Sequence, residues 1–130
     1  MGQSQNPWRS QLEERPHHGL KVWHLGKELA LQIYRITENF PTDERFELRS
    51  QLRRAAVGIP SHIAEGSARN TDPDFARFLY MARGALEEID TQLEFAGERG
   101  YLRSVQLQDV ADTFENLSRA LDGLLKSLKK

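Results

Sequence analysis

Four stretches of the chain repeat apolar residues every three or four positions. Val22, Leu25, Leu29, Ile33, Ile36 and Phe40 make the first, and Leu48, Leu52, Ala55, Ala56, Ile59 and Ile63 the second. Phe75, Phe78, Leu79, Ala82, Leu86, Ile89, Leu93 and Ala96 make the third. Leu107, Val110, Phe114, Leu117, Leu121, Leu124 and Leu128 make the fourth. That period lines each set along one side of an α-helix, as a stripe that must be covered. No segment alternates apolar and polar residues as a half-buried strand would. The pattern predicts helices over about 22–40, 43–69, 73–98 and 104–128.

The polar punctuation between the stripes agrees. Pro41 stops the first helix. Thr42 can cap the second, and Asp43 and Glu44 sit where its dipole favours anions. Thr71 or Asp72 can cap the third, with Pro73 tolerated in its first turn. Gly97 and Gly100 read as stops, and Ser104 as the next cap. Connections this short turn neighbouring helices antiparallel. The expected fold is therefore all-α, an up-down-up-down four-helix bundle over 22–128. Residues 1–21 contain Pro7 and Pro16 and show no apolar period. They read as a flexible N-terminal tail, unless Trp8 packs on a neighbour.

The second stripe holds an anomaly. "RRAAVGIPSHIAEGSAR" places Gly58 and Pro60 inside a helix, where proline removes a hydrogen bond and crowds the preceding turn. The apolar phase nevertheless runs across Pro60 without a skip, which predicts one continuous helix kinked at Gly58–Pro60. The freed carbonyl of Ala56 would need another donor, and Ser61 or a water is the candidate. Small residues crowd this region and permit a close helix approach. Two readings stand open: the bend wraps helix 2 around its own bundle, or it shapes an oligomer interface through Gly58, Pro60, Ser61 and Glu65.

The same stretch carries a family resemblance. "LRRAAVGIPSHIAEGSAR", "FARFLYMARGALEEIDTQLEFAGERGYL" and the entry "VWHLGKELALQIYRITENFP" resemble the four-helix-bundle family of the 23S rRNA intervening-sequence proteins. The resemblance implies a small cytosolic bundle, and it extends to the accessory proteins of diversity-generating retroelements. Those bind nucleic acid and a reverse transcriptase and assemble as ring-shaped homopentamers. They are strongly basic. This chain has 18 Lys and Arg against 19 Asp and Glu, a net charge of -1. A protein held by bulk phosphate attraction is usually basic, so contact with RNA or DNA would need a local patch.

One such patch is legible. Arg45, Arg49 and Arg53 recur at steps of four, with Arg54 and Arg69 nearby. Arginine's planar fork suits phosphate, and equally suits an ion-paired protein interface. A Glu65–Arg69 pair at i, i+4 would belong to the second case. Residues 84–122 are the opposite in sign, carrying Glu87, Glu88, Asp90, Glu94, Glu98, Asp109, Asp112, Glu115 and Asp122 against only Arg99, Arg103 and Arg119. Opposed basic and acidic faces are what a head-to-tail homo-oligomer uses.

Catalytic chemistry is poorly supported. Cysteine is absent, which excludes disulfides, thiolate metal sites and cysteine nucleophiles. His62 and Glu65 are a lone, reversed fragment of the Glu-x-x-His pairs of di-iron bundles, and no second histidine completes them. His17 and His18 are adjacent and lack further ligands. Ser61 and His62 point apart on a helix, so no triad forms. The expectation is no enzyme, no cofactor and no metal. There is no signal-like start and no apolar run of about 18 residues, so a cytoplasmic, non-membrane setting is expected. The function expected is a homo-oligomeric binding or scaffold module, possible partners being itself, nucleic acid or a nucleic-acid-handling protein. The alternative is a purely protein–protein adaptor.

Overall fold

The computed structural model describes residues 6–44 and 47–129. Four α-helices follow one another: α1 Lys21–Ile36, α2 Leu48–Ser67, α3 Asp72–Glu98 and α4 Ser104–Leu128. No strand occurs among the described residues. α2 packs between α1 and α3, and α4 packs against both α1 and α3, so the four form a helical bundle. Leu29, Ile33, Leu52, Ile59, Ile63, Leu79, Leu86, Ile89, Leu117 and Leu121 meet at its centre, all fully buried. They come from all four predicted stripes.

The helix ends differ from the pattern in instructive ways. α1 stops at Ile36, before the expected limit at Phe40. The buried Thr37 hydroxyl donates to the Ile33 carbonyl at 2.7 Å, taking an acceptor at the helix end. Phe40 remains buried beyond that end and packs on the Tyr101 ring. Thr42–Glu44 form a 3-10 turn rather than the start of α2. Glu44 still serves α2: one carboxylate oxygen accepts from the Leu48 amide at 3.3 Å, the other from the Tyr101 hydroxyl at 2.9 Å. Thr71 does cap α3, its hydroxyl accepting from the Asp74 amide. Gly100, at φ +78°, ends α3, where the Tyr101 amide donates back to the Ala96 carbonyl at 3.0 Å. Ser104 is not the cap of α4 but its first residue. The Gln106 side chain takes the Arg103 amide at 2.9 Å instead.

α2 runs as one helix through Pro60. Of the two donors expected for the Ala56 carbonyl, Ser61 or a water, Ser61 is not the one: its hydroxyl donates to the Val57 carbonyl at 2.9 Å, because a serine reaches the carbonyl four residues before it. Two glycines set the approach of its neighbours. A Cβ on Gly26 of α1 would lie 3.0 Å from Ile59 Cγ2 and 3.6 Å from Pro60 Cδ. A Cβ on Gly66 would lie 2.8 Å from Phe78 Cβ and 2.9 Å from Phe75 Cδ1 of α3. Both helices therefore come against α2 where no side chain intervenes.

From Asn6 on, the segment read as a tail has local structure. It makes 3-10 turns at Arg9–Gln11 and Pro16–Gly19, and the second packs on α1 and α2. His17 and His18 stack around Trp23, with ring centroids at 4.8 and 5.2 Å. Burial, then the neighbouring His18 and Arg9, pushes the His17 imidazole below its usual range.

Candidate functional site

Arg45 lies outside the described residues. Arg49, Arg53 and Arg54 line one shallow groove of about 450 Å³ with Tyr34, Ser50 and Val57. Their duties differ. Arg53 Nε donates to the Thr37 hydroxyl and its Nη2 to the Tyr34 carbonyl, both at 2.9 Å. Its guanidinium carbon lies 4.3 Å from the centre of the Tyr34 ring, a cation–π contact. Arg53 thus closes the C-terminal end of α1, where unpaired carbonyls and the helix dipole both favour a cation. Arg49 reaches the Glu38 carbonyl only at 3.5 Å, and Arg54 only the Ser50 hydroxyl at 3.4 Å.

Arg69 does not join them. It pairs with Asp74 at 3.0 Å across the turn into α3, rather than with Glu65. Arg77 binds the same carboxylate. Hydrogen bonds from Arg77 and Arg69 hold the Asp74 carboxyl below its usual range. Glu65 instead faces His62, at 3.4 Å from Nδ1, a distance without hydrogen-bond alignment. The residues proposed for an interface also divide. Ser61 and Glu65 are exposed, Gly58 adjoins His62 in a groove beside Ala85 and Glu88 of α3, and Pro60 is turned towards Gly26 of α1.

The arginines are accompanied by something sequence periodicity could not show: Tyr34 is 41% and Val57 43% exposed beside them. Leu31, one turn from Tyr34 on α1, is exposed too. The acid-rich half has its own feature, an apolar groove of about 290 Å³ between α3 and α4. Leu93, Leu107 and Phe114 line it, with Asp90, Glu94 and Glu115 on its rim. Among the described residues no three His, Asp or Glu side chains are placed to hold a metal. No helix among them is long and apolar enough to cross a membrane.

No curated protein sequence matches the chain. A crystal structure from Bacteroides thetaiotaomicron, of a protein of unknown function in the S23 ribosomal protein family, is similar in fold. Its TM-score is 0.72 at 21% identity, covering 81% of this chain and 98% of that one. The sequence matches the family described as 23S rRNA-intervening sequence protein over residues 18–123. That span takes in all of α1, α2 and α3 and most of α4, and the chain belongs to this family.

Proposed function

We propose that the protein is a non-catalytic scaffold that assembles with copies of itself through the outward α1–α2 face, and that a ring of five is the assembly. What carries this reading is the exposed Tyr34–Val57 strip bordered by Arg49 and Arg54. The acid-rimmed groove of Leu93, Leu107 and Phe114 is its complement in both charge and polarity. A basic face meeting an acidic one on the next copy is a heterologous contact, which closes into a ring when the rotation permits. The number five rests on the resemblance to retroelement accessory proteins.

The test is native mass by light scattering. Val57→Glu with Arg54→Glu places charge in the strip and reverses one rim cation, and is expected to yield a folded monomer. Pro60→Ala, facing α1, is expected to leave the mass unchanged and alter only thermal stability. A wild-type protein that runs as a monomer, or a double variant of unchanged mass, rejects the assembly.

A second reading follows from the same groove, since Arg49 and Arg54 are lightly engaged and an exposed ring stands beside them. Under it, the face contacts RNA or DNA. Fluorescence anisotropy of a structured RNA and a DNA duplex should then show affinity falling steeply between about 50 and about 200 mM salt. Arg49→Glu with Arg54→Glu should abolish it. Arg53 is left intact because it holds the end of α1. No binding at low salt would assign the groove to protein contacts alone.

A further inference from the structure

A further concave feature lies near the start of the chain. Between the Asn6–Leu12 segment and the first half of α1 is a cleft of about 660 Å³. That is within the usual range for a small-molecule site. Both tryptophans of the chain line it. Trp8 is 66% exposed and has no ring stacked on it among the described residues, an unusual position for the largest apolar side chain. Trp23 is held in place by His17, His18 and His24, and Lys27 Nζ stands 4.8 Å from its ring centre.

The charges lining the cleft are mainly positive. Arg9 and Lys27 both face it, and neither has a carboxylate partner among the described residues. Arg9 is oriented by a 3.0 Å bond from Nη1 to the Glu13 carbonyl, which leaves most of its donors unused. His24 Nε2 is engaged with the His18 carbonyl and His18 Nδ1 accepts from the Arg15 amide, both at 2.8 Å, so these two imidazoles act as walls. Glu14 supplies the one carboxylate.

A ligand that suits these groups must be flat, aromatic and anionic at once. A plain apolar peptide would leave the two cations unanswered, and a cationic ligand would be repelled by them. A base has a π-face for an indole, its phosphate answers Arg9 and Lys27, and its exocyclic amine or ribose hydroxyl can donate to Glu14.

We propose that this cleft binds a nucleotide unit, with the base stacked on Trp8 and the phosphate between Arg9 and Lys27. The cleft shares no lining residue with the groove on the α1–α2 face.

The chain's own fluorescence tests it, because every tryptophan it has lines the cleft. The full-length protein is titrated at about 50 mM salt with adenosine monophosphate, adenosine, inorganic phosphate and a short single-stranded oligoadenylate. Saturable quenching by the monophosphate or the oligomer is expected, with adenosine and phosphate each about tenfold or more weaker. Equal affinity for the two nucleotide probes identifies a free nucleotide as the ligand, and preference for the oligomer a strand end. Arg9→Ala with Lys27→Ala should weaken binding about tenfold or more while leaving the helical circular-dichroism signal intact. Trp8→Ala, an exposed change, should do the same, read through Trp23. No saturable quenching by either nucleotide probe, phosphate binding as well as the monophosphate, or unchanged affinity in the double variant would overturn the proposal.

Discussion

Gly66→Ala is expected to destabilise the bundle by about 2–3 kcal/mol, although alanine is the better helix former by about 1 kcal/mol. The added methyl would sit 2.8 Å from Phe78 Cβ and 2.9 Å from Phe75 Cδ1. The phenyl ring can swing. Phe78 Cβ cannot, because it is fixed to the α3 backbone, so the two helices must separate. Gly58 provides the control in the same helix. A Cβ there meets only His62, at 3.7 Å, and Gly58→Ala should be neutral or stabilise by up to about 1 kcal/mol. Denaturant midpoints at unchanged slope measure both. Equal shifts for the two variants would mean that helix propensity, not the α2–α3 approach, governs these positions.

Arg53→Met should cost about 1.5–3 kcal/mol, the scale for hydrogen bonds to a charged donor. The methionine retains much of the stem's packing but none of its donors. The buried Thr37 hydroxyl would lose its 2.9 Å bond, and the Tyr34 carbonyl its own at the open end of α1. Arg53→Lys should not restore stability, since one ammonium cannot reproduce a fork that serves two acceptors while lying on the Tyr34 ring. Arg54→Met, beside it but bonded among the described residues only to Ser50, should stay within about 0.5 kcal/mol. The decisive measurement is a double-mutant cycle with Thr37→Val. A coupling near zero would remove Arg53 from the end of α1 and return it to the groove as a free cation.

The contrast between Arg53 and Arg54 shows what the amino-acid sequence does and does not disclose. Four helices were legible because their stripes repeat at the helical period, and α4 begins at the expected Ser104 and runs to Leu128. Spacing on one helix put Arg49 and Arg53 in one stripe with Arg45, and nearness in sequence added Arg54. What Arg53 does was not legible, because its acceptors lie sixteen and nineteen residues away, at the C-terminal end of α1. The same distance hides the end of α1: Phe40 keeps the apolar phase and still packs inward, though the helix has stopped at Ile36. Small residues around Gly58–Pro60 pointed to a close approach. Which neighbour each one admits depends on Gly26 and on Phe75 and Phe78, which no local pattern links to α2. The cleft at Trp8 was hidden because 3-10 turns have no apolar period. The only local sign was the concentration of Trp8, Trp23, His17, His18 and His24 near the start of the chain.

The order in which the helices touch also bears on how the chain is made. α1 packs against α2, α2 against α3 and α3 against α4, each on its successor in the sequence. These pairings close short loops, and topologies of this kind fold quickly. Only α1 against α4 joins the two ends of the chain. During synthesis α2 can dock on α1, and α3 on α2 through Gly66, before α4 exists. The last 25-residue helix then arrives at a surface already assembled to receive it. The faces of α1 and α3 that α4 covers are open to water until it docks.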